Sequence, residues 1–250
     1  MARQRLGQHF LIRESILNRI AAAACPQHAP LVIEIGAGRG ALTEKLLERA
    51  GRVVAIEIDP ALAQHLRQRF AGEARLEIVE GDVLQTGLAQ WGPAPITGNL
   101  PYYITSPVLE LAVRLRPPRA VFLMQKEVAE RLVARPCSRA YGYLTVSTAL
   151  FATARLLFEV KPQAFRPPPQ VDSAVVLLEP RTEAPVAETE GLLRFTGLCF
   201  RHKRKTIRNN LAEVYGKETV DAWPEAGLRA EQIAPEQFVE MYRRAQSLPY

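Results

Sequence analysis

From Leu31 onward, short runs of β-branched and aliphatic residues alternate with stretches whose apolar positions recur at helical spacing. The runs Leu31–Ile35, Arg52–Ile58, Leu76–Val79, Pro95–Gly98 and Ala120–Gln125 read as strands. Ala41–Ala50 carries Leu42, Leu46 and Leu47 on one helical face, and Pro60–Phe70 opens with a proline suited to a first helical turn. Such alternation predicts a parallel sheet covered by helices. After Tyr143 the pattern changes. Leu156–Val160 and Val171–Leu178 read as two strands joined by the proline-rich stretch Pro162–Pro169, with no helix between them, and so as an antiparallel pair at the end of the sheet. The stretch Glu179–Pro185 resembles a linker, and everything beyond it is helical in character. The expected fold is α/β: a Rossmann-like, mostly parallel sheet with an antiparallel last strand, followed by a small all-α domain. The expected boundary lies at residue 181, between a domain at 1–180, with a basic segment at 1–13, and one at 181–250.

The 250 residues suffice for that arrangement, and a formal net charge of +6 leans towards a polyanionic partner. Cys25, Cys137 and Cys199 are far apart and form no metal-ligand spacing, so neither a disulfide framework nor a metal is expected, only buried or half-buried thiols. Leu144–Phe158 is broken by Thr145, Ser147, Thr148, Thr153 and Arg155 and cannot span a membrane. With no apolar signal core among the opening residues, the expected location is the cytoplasm.

The first strand runs into Glu34-Ile35-Gly36-Ala37-Gly38-Arg39-Gly40, where small residues let a ligand approach the backbone. Glu57 ends the second strand and can accept hydrogen bonds from both hydroxyls of a ribose. Asp82 follows the third strand, where an acid can meet an adenine amine. Dinucleotides and S-adenosylmethionine both fit a glycine loop with Glu57. A dinucleotide asks for G-x-G-x-x-G, and here the third glycine comes one residue early. Three acids at successive strand ends, Glu34, Glu57 and Asp82, suit the cationic S-adenosylmethionine better, which makes the sheet a class I methyltransferase sheet.

The fourth strand ends in Asn99-Leu100-Pro101-Tyr102-Tyr103. The N6 lone pair of adenine is delocalised into the ring and is a poor nucleophile. Two acceptors can hold the amine hydrogens: the Asn99 side-chain carbonyl, and the main-chain carbonyl of Leu100 ahead of Pro101. Tyr102 offers a ring for a flipped base to stack on. The bland reading is an Asn-Pro turn with a core tyrosine.

At this point the sequence resembles the ribosomal RNA adenine N6-dimethyltransferases, and within them the bacterial small-subunit (16S) branch. Gly7-Gln8-His9-Phe10-Leu11 is similar to the family's opening motif, which folds over the cofactor, and Glu34–Gly38 to its first methyltransferase motif. Asn99–Tyr102 resembles its substrate motif, Phe165–Ala174 its late aromatic-proline motif, and Phe200–Leu211 its basic helix. The resemblance implies cofactor contacts at His9, Leu11, Gly36, Glu57, Asp82 and Asn99, with Gly38 in the same loop. It implies base contacts from Asn99, Leu100, Tyr102 and Phe165. The implied product is N6,N6-dimethyladenosine at two adjacent adenosines near the 3′ end of 16S rRNA, made on an assembling small (30S) subunit. One departure is His9, where relatives commonly carry Asn. Phe165 has two readings, a ring closing the base pocket opposite Tyr102 or a core residue.

The RNA-facing surface is expected at Arg201, Lys203, Arg204, Lys205 and Arg208. If the segment is helical, Arg201, Arg204, Lys205 and Arg208 share one face. The region from residue 181 holds 11 basic and 10 acidic residues, so the concentration is local. Arg3, Arg5 and Arg13 give a second basic segment, and Arg114, Arg116 and Arg119 a third. The expected protein is a monomer acting on rRNA, with no DNA or membrane partner. Two alternatives stay open: a large-subunit rRNA adenine methyltransferase, and a non-catalytic assembly or RNA-binding factor on the same scaffold.

Overall fold

The computed structural model describes residues 9–182, 185–186 and 188–248. In chain order the elements up to residue 180 are β1 (Phe10–Leu11), α1 (Glu14–Ala24), β2 (Val32–Ile35), α2 (Ala41–Leu47), β3 (Val53–Glu57), α3 (Pro60–Arg69), β4 (Leu76–Glu80), β5 (Ile96–Asn99), α4 (Thr105–Leu115), β6 (Ala120–Gln125), α5 (Lys126–Leu132), α6 (Tyr143–Phe151), β7 (Ala152–Val160), β8 (Phe165–Arg166) and β9 (Ser173–Pro180). Four more helices follow: α7 (Thr189–Cys199), α8 (Ile207–Tyr215), α9 (Lys217–Asp221) and α10 (Pro235–Gln246). The chain forms two compact units, one from residues up to 129 together with 154–180, the other from 130–153 together with the residues from 181 on.

In the first unit seven strands form one sheet in the order β4-β3-β2-β5-β6-β9-β7. Neighbours from β4 to β6 pair in parallel, and β9 runs antiparallel to β6. The apolar runs of β2 and β3 are buried throughout, as strands covered on both faces must be. Helix α1 lays Leu17, Ile20, Ala21 and Ala24 into a core that includes Val121 and Leu123 of β6, where each large buried side chain contributes about 1.5–3 kcal/mol. Helix α3 starts where Asp59 accepts the Ala61 N–H at 2.9 Å and Pro60 takes the first turn, a cap stabilising by about 1 kcal/mol.

The topology makes the crevice. From β2 the chain adds β3 and β4 outward on one side, then returns to add β5 and β6 on the other. Loops leaving β2 and β5 therefore diverge, and a ligand site opens at the carboxyl ends of the strands. Here β5 passes β2 so closely that a Cβ on Gly98 would collide with the main-chain oxygen of Ile35. Gly98→Ala is expected to destabilise the unit by about 1–3 kcal/mol through overpacking between two central strands. A lowered urea midpoint checks this; an unchanged midpoint would mean that β5 can move.

Residues 130–153, expected with the sheet, group with the second unit for a physical reason. Tyr141 is buried there, its hydroxyl donating to the Ile233 carbonyl at 2.7 Å and its ring 6.4 Å from that of Phe200. The unit's core is aromatic: Phe195 meets Tyr215, Trp223 and Tyr242 at 6.0, 6.4 and 5.7 Å between centroids. A buried carboxylate, Glu225, is held by both terminal nitrogens of Arg244 at 2.8 and 3.1 Å. Among the described residues this unit holds helices and, apart from the start of β7, only an isolated bridge between Thr206 and Arg229. Cys25 and Cys199 are buried, but Cys137, expected to be at least half-buried, is exposed.

Candidate active site

The glycine loop is built around a carboxylate. Glu57, only 3% exposed, accepts the Gly38 N–H at 2.8 Å on one oxygen and the Asp59 N–H at 2.9 Å on the other. Gly38 sits at φ +58°, a conformation glycine adopts without cost, and that turn points its N–H at Glu57. Burial raises the Glu57 pKa, and the two backbone bonds oppose the rise. Each oxygen keeps a further lone pair for a ligand hydroxyl.

Glu34 is also buried, and Thr43 of α2 donates its hydroxyl to it at 2.5 Å. Burial pushes this carboxyl up to about 7, against the Thr43 bond, and the nearby Glu57 adds to the rise. Glu34 thus fastens β2 to α2 behind the loop. Asp82 follows β4, where its side chain accepts the Leu84 N–H at 2.9 Å and its carbonyl accepts from Gln85 and Thr86, each at 2.9 Å.

Asn99 ends β5, and its Nδ2 donates to the main-chain oxygen of His9 at 2.9 Å. Leu100 donates its N–H to the Leu123 carbonyl at 2.9 Å, which fixes the turn to β6, and its side chain is buried. The Tyr102 hydroxyl lies 3.2 Å from Ser173 Oγ, and burial keeps this phenol above its usual range. The segment 9–12 straps the opening. β1 pairs antiparallel with β8, Phe10 opposite Arg166 and Leu11 opposite Phe165, and the Ile12 N–H reaches the Ala164 carbonyl at 2.8 Å. His9 Nδ1 bonds the Pro167 carbonyl at 2.8 Å, and its ring lies 5.8 Å from that of Tyr102.

These groups surround a cavity of about 380 Å³, the size of a small-molecule site. It brings together His9, Leu11, Gly36, Gly38, Glu34, Glu57, Asp82, Asn99, Leu100, Pro101 and Tyr102. It does not include Phe165. That ring is 2% exposed and packs in the core with Leu11 and Leu17, so of the two readings of Phe165 the core residue holds. The two-residue strand β8 turns successive side chains to opposite faces, and Arg166 lines the cavity instead. Sequence reasoning missed Arg166, Thr43 and the exposed Tyr103 at the cavity mouth. Tyr103 follows Tyr102 directly and Arg166 follows Phe165, but nothing local marked Thr43.

The basic segment of the second unit is a turn, not a helix. Residues 201–205 are bends and turns, Thr206 makes the bridge to Arg229, and α8 begins at Ile207. Tertiary bonds claim the main chain that a helix would use. Buried Asn210 accepts the His202 N–H at 3.0 Å and donates to the Cys199 carbonyl at 2.8 Å, while the Ile207 N–H goes to Leu228 at 2.8 Å. The shared helical face therefore does not exist, although all five basic residues are exposed. Arg201 pairs with Glu213 at 3.2 Å, Arg208 pairs with Asp221, and Lys203 reaches the Arg139 carbonyl at 3.3 Å. Among the described residues Arg204 and Lys205 carry no side-chain ion pair. Of the other basic groups, Arg3 and Arg5 lie outside the described residues, as do Gly7 and Gln8. Arg13 is exposed, Arg114 pairs with Glu110 at 3.8 Å, and Arg119 is spent internally on Glu179 at 2.7 Å and the Ala23 carbonyl at 3.1 Å. Among the described residues no group of His, Cys, Asp and Glu could hold a metal ion, and no helix is long and apolar enough to cross a membrane.

A mostly parallel seven-stranded sheet with its cavity at the strand ends, an antiparallel β9 and a separate helical unit defines a class I methyltransferase. The chain belongs to the ribosomal RNA adenine dimethylase family, whose profile matches residues 1–247. It is 41% identical to the ribosomal RNA small subunit methyltransferase A of Synechococcus elongatus, over 94% of this chain and 88% of that one. Among solved structures it resembles a dimethyladenosine transferase from Plasmodium falciparum, with a TM-score of 0.79 and 28% identity over 94% of this chain and 98% of that one. It also resembles the 23S rRNA methyltransferase ErmE, with a TM-score of 0.70 and 29% identity over 95% and 100%. The chain is thus an enzyme, an rRNA adenine methyltransferase.

Proposed function

We propose that the chain transfers methyl groups from S-adenosylmethionine to N6 of two adjacent adenosines near the 3′ end of 16S rRNA, giving N6,N6-dimethyladenosine during small-subunit biogenesis in the cytoplasm. The observation that carries this reading is the Asn99 amide: its Nδ2 is committed to His9, which leaves Oδ1 as the acceptor for an adenine amine in the same cavity as the strand-end acids.

The cavity fits the cofactor. Glu57, with a free lone pair on each oxygen, would hold the ribose hydroxyls, Asp82 the adenine amine, and the turn at Gly36 and Gly38 would leave room for the rest. S-adenosylmethionine supplies the activated methyl group and its own leaving group. The remainder falls to the chain. In the first transfer Asn99 Oδ1 and the Leu100 carbonyl accept the two amine hydrogens, and in the second the one that remains, and so draw the nitrogen lone pair out of conjugation; the cationic nitrogen formed each time releases a proton. Tyr102, held by Ser173, stacks the flipped base. Most of the rate then comes from alignment, with no strong base needed. Arg166 brings a cation to the mouth, suited to the target's phosphate.

The second unit is the RNA-binding part in this reading, and the protein works as a monomer on the small (30S) subunit. Arg204 and Lys205, exposed and without an ion pair among the described residues, are the groups readiest to meet phosphates. Arg204→Ala combined with Lys205→Ala is expected to weaken subunit binding and to flatten the slope of its salt dependence by about 0.7–0.9 for each phosphate no longer neutralised. An unchanged salt slope would remove this loop from the interface.

The likeness to a 23S enzyme favours a second reading, methylation of the large subunit. Offering undermethylated small and large subunits separately decides between them: methyl incorporation into the small subunit alone supports the first, incorporation into the large subunit alone the second.

A further inference from the structure

We propose that His9 is a positioning residue for methyl transfer, which acts by fixing the direction of the Asn99 amide; the inference rests on the adenine-methylation reading above. A carbonyl oxygen accepts and never donates. The His9 carbonyl can therefore hold only the Nδ2 end of Asn99, as it does at 2.9 Å, and this turns the Oδ1 end away from it. An Asn99 amide rotated by half a turn would meet an adenine amine with donors instead of an acceptor. The reaction needs the orientation that the His9 carbonyl imposes.

That carbonyl must itself be held still, and the His9 ring does this from two sides. Pro167 also offers only an acceptor, so His9 Nδ1 is the donor across 2.8 Å. The ring lies 5.8 Å from Tyr102 at a tilt of 31°, against the tyrosine assigned to the base. From Phe10 onward the strap is fastened by the β1–β8 pairing. His9 lies just ahead of that pairing, where its carbonyl meets Asn99, and there the ring is the anchor. One residue thus ties the proline-rich loop and Tyr102, through its ring, and Asn99, through its carbonyl, into one arrangement.

Substitutions separate the two anchors. In histidine and asparagine alike, a nitrogen is bonded directly to Cγ. His9→Asn therefore keeps a donor at the same reach and loses only the ring, while His9→Phe keeps a ring and loses the donor. His9→Ala loses both but retains the main-chain carbonyl. Three quantities are measured in each variant: single-turnover methyl transfer at saturating S-adenosylmethionine, cofactor affinity by calorimetry, and exchange protection of the Asn99 side-chain amide by NMR without cofactor.

The expected result is a rate lowered about 10–100-fold in His9→Ala, as for a small misalignment. Cofactor affinity stays within about threefold, an effect well below that on the rate. Asn99 amide protection is lost, and His9→Asn recovers most of both rate and protection. An undiminished rate in His9→Ala would overturn the proposal. So would a rate loss matched by lost cofactor affinity and not rescued by His9→Asn, since His9 would then be a cofactor contact only. If the wild type transfers no methyl group to adenine, the underlying reading fails; the Asn99 amide comparison still decides whether His9 sets its direction.

Discussion

Asn99→Ala is expected to lower methyl transfer by about 10²–10³-fold, the usual loss when one preorganised hydrogen-bonding group is removed from a reacting centre. The substitution deletes the acceptor proposed for the adenine amine and also the donor that meets His9 at 2.9 Å. Neither loss touches the exposed basic turn of the second unit, so RNA binding should stay within about twofold, as expected for an interaction made at the reacting centre. Single-turnover transfer together with filter binding checks both halves. Asn99→Asp sharpens the test: it keeps an acceptor but puts a carboxylate against the His9 carbonyl, so it should also be slow. Transfer by Asn99→Ala at near the wild-type rate would remove Asn99 from the reaction.

The second large effect is expected at Glu57. Its carboxylate holds the Gly38 N–H at 2.8 Å and the Asp59 N–H at 2.9 Å while buried. Glu57→Ala leaves both donors unpaired beside the cavity and removes the acceptors proposed for the ribose. A hydrogen bond to a charged group contributes about 1.5–3 kcal/mol, so cofactor affinity should fall on the order of 100-fold. Glu57→Gln keeps one acceptor oxygen and turns a donor towards a backbone N–H, so it should bind more weakly than wild type and more tightly than Glu57→Ala. Calorimetry with S-adenosylmethionine, on variants shown to be folded by circular dichroism, reads the order directly. Equal affinity in all three proteins would take Glu57 out of the cofactor site.

The middle of the sheet was legible because β2, β3 and β6 are buried on both faces and so read as mostly apolar runs; Ala120–Gln125 was bounded to the residue. The acids and Asn99 were legible as candidates for one reason: a polar residue at the carboxyl end of a buried strand has few structural duties. Less visible were features made by tertiary bonds. Arg201, Arg204, Lys205 and Arg208 have helical spacing, yet Asn210 and Leu228 hold the intervening backbone in a turn. Spacing could not show that competition. Phe165 and Arg166 differ by one position, and only the pairing of β8 with β1 decides which faces the core and which the cavity. The placement of 130–153 with the helical unit depends on Tyr141, whose hydroxyl finds the Ile233 carbonyl far along the chain. The strap over the cavity was expected from resemblance alone; its fastening by His9, with a bond at each end of the residue, came from the geometry.

The most direct test of the central claim is transfer of labelled methyl groups from S-adenosylmethionine to undermethylated small ribosomal subunits, followed by nucleoside analysis of the rRNA. The label is expected to appear as N6,N6-dimethyladenosine, and Asn99→Ala to slow its appearance by the factor given above. Binding to the subunit without any labelled adenosine would contradict the claim, and would leave the chain as an assembly factor with an unused cavity.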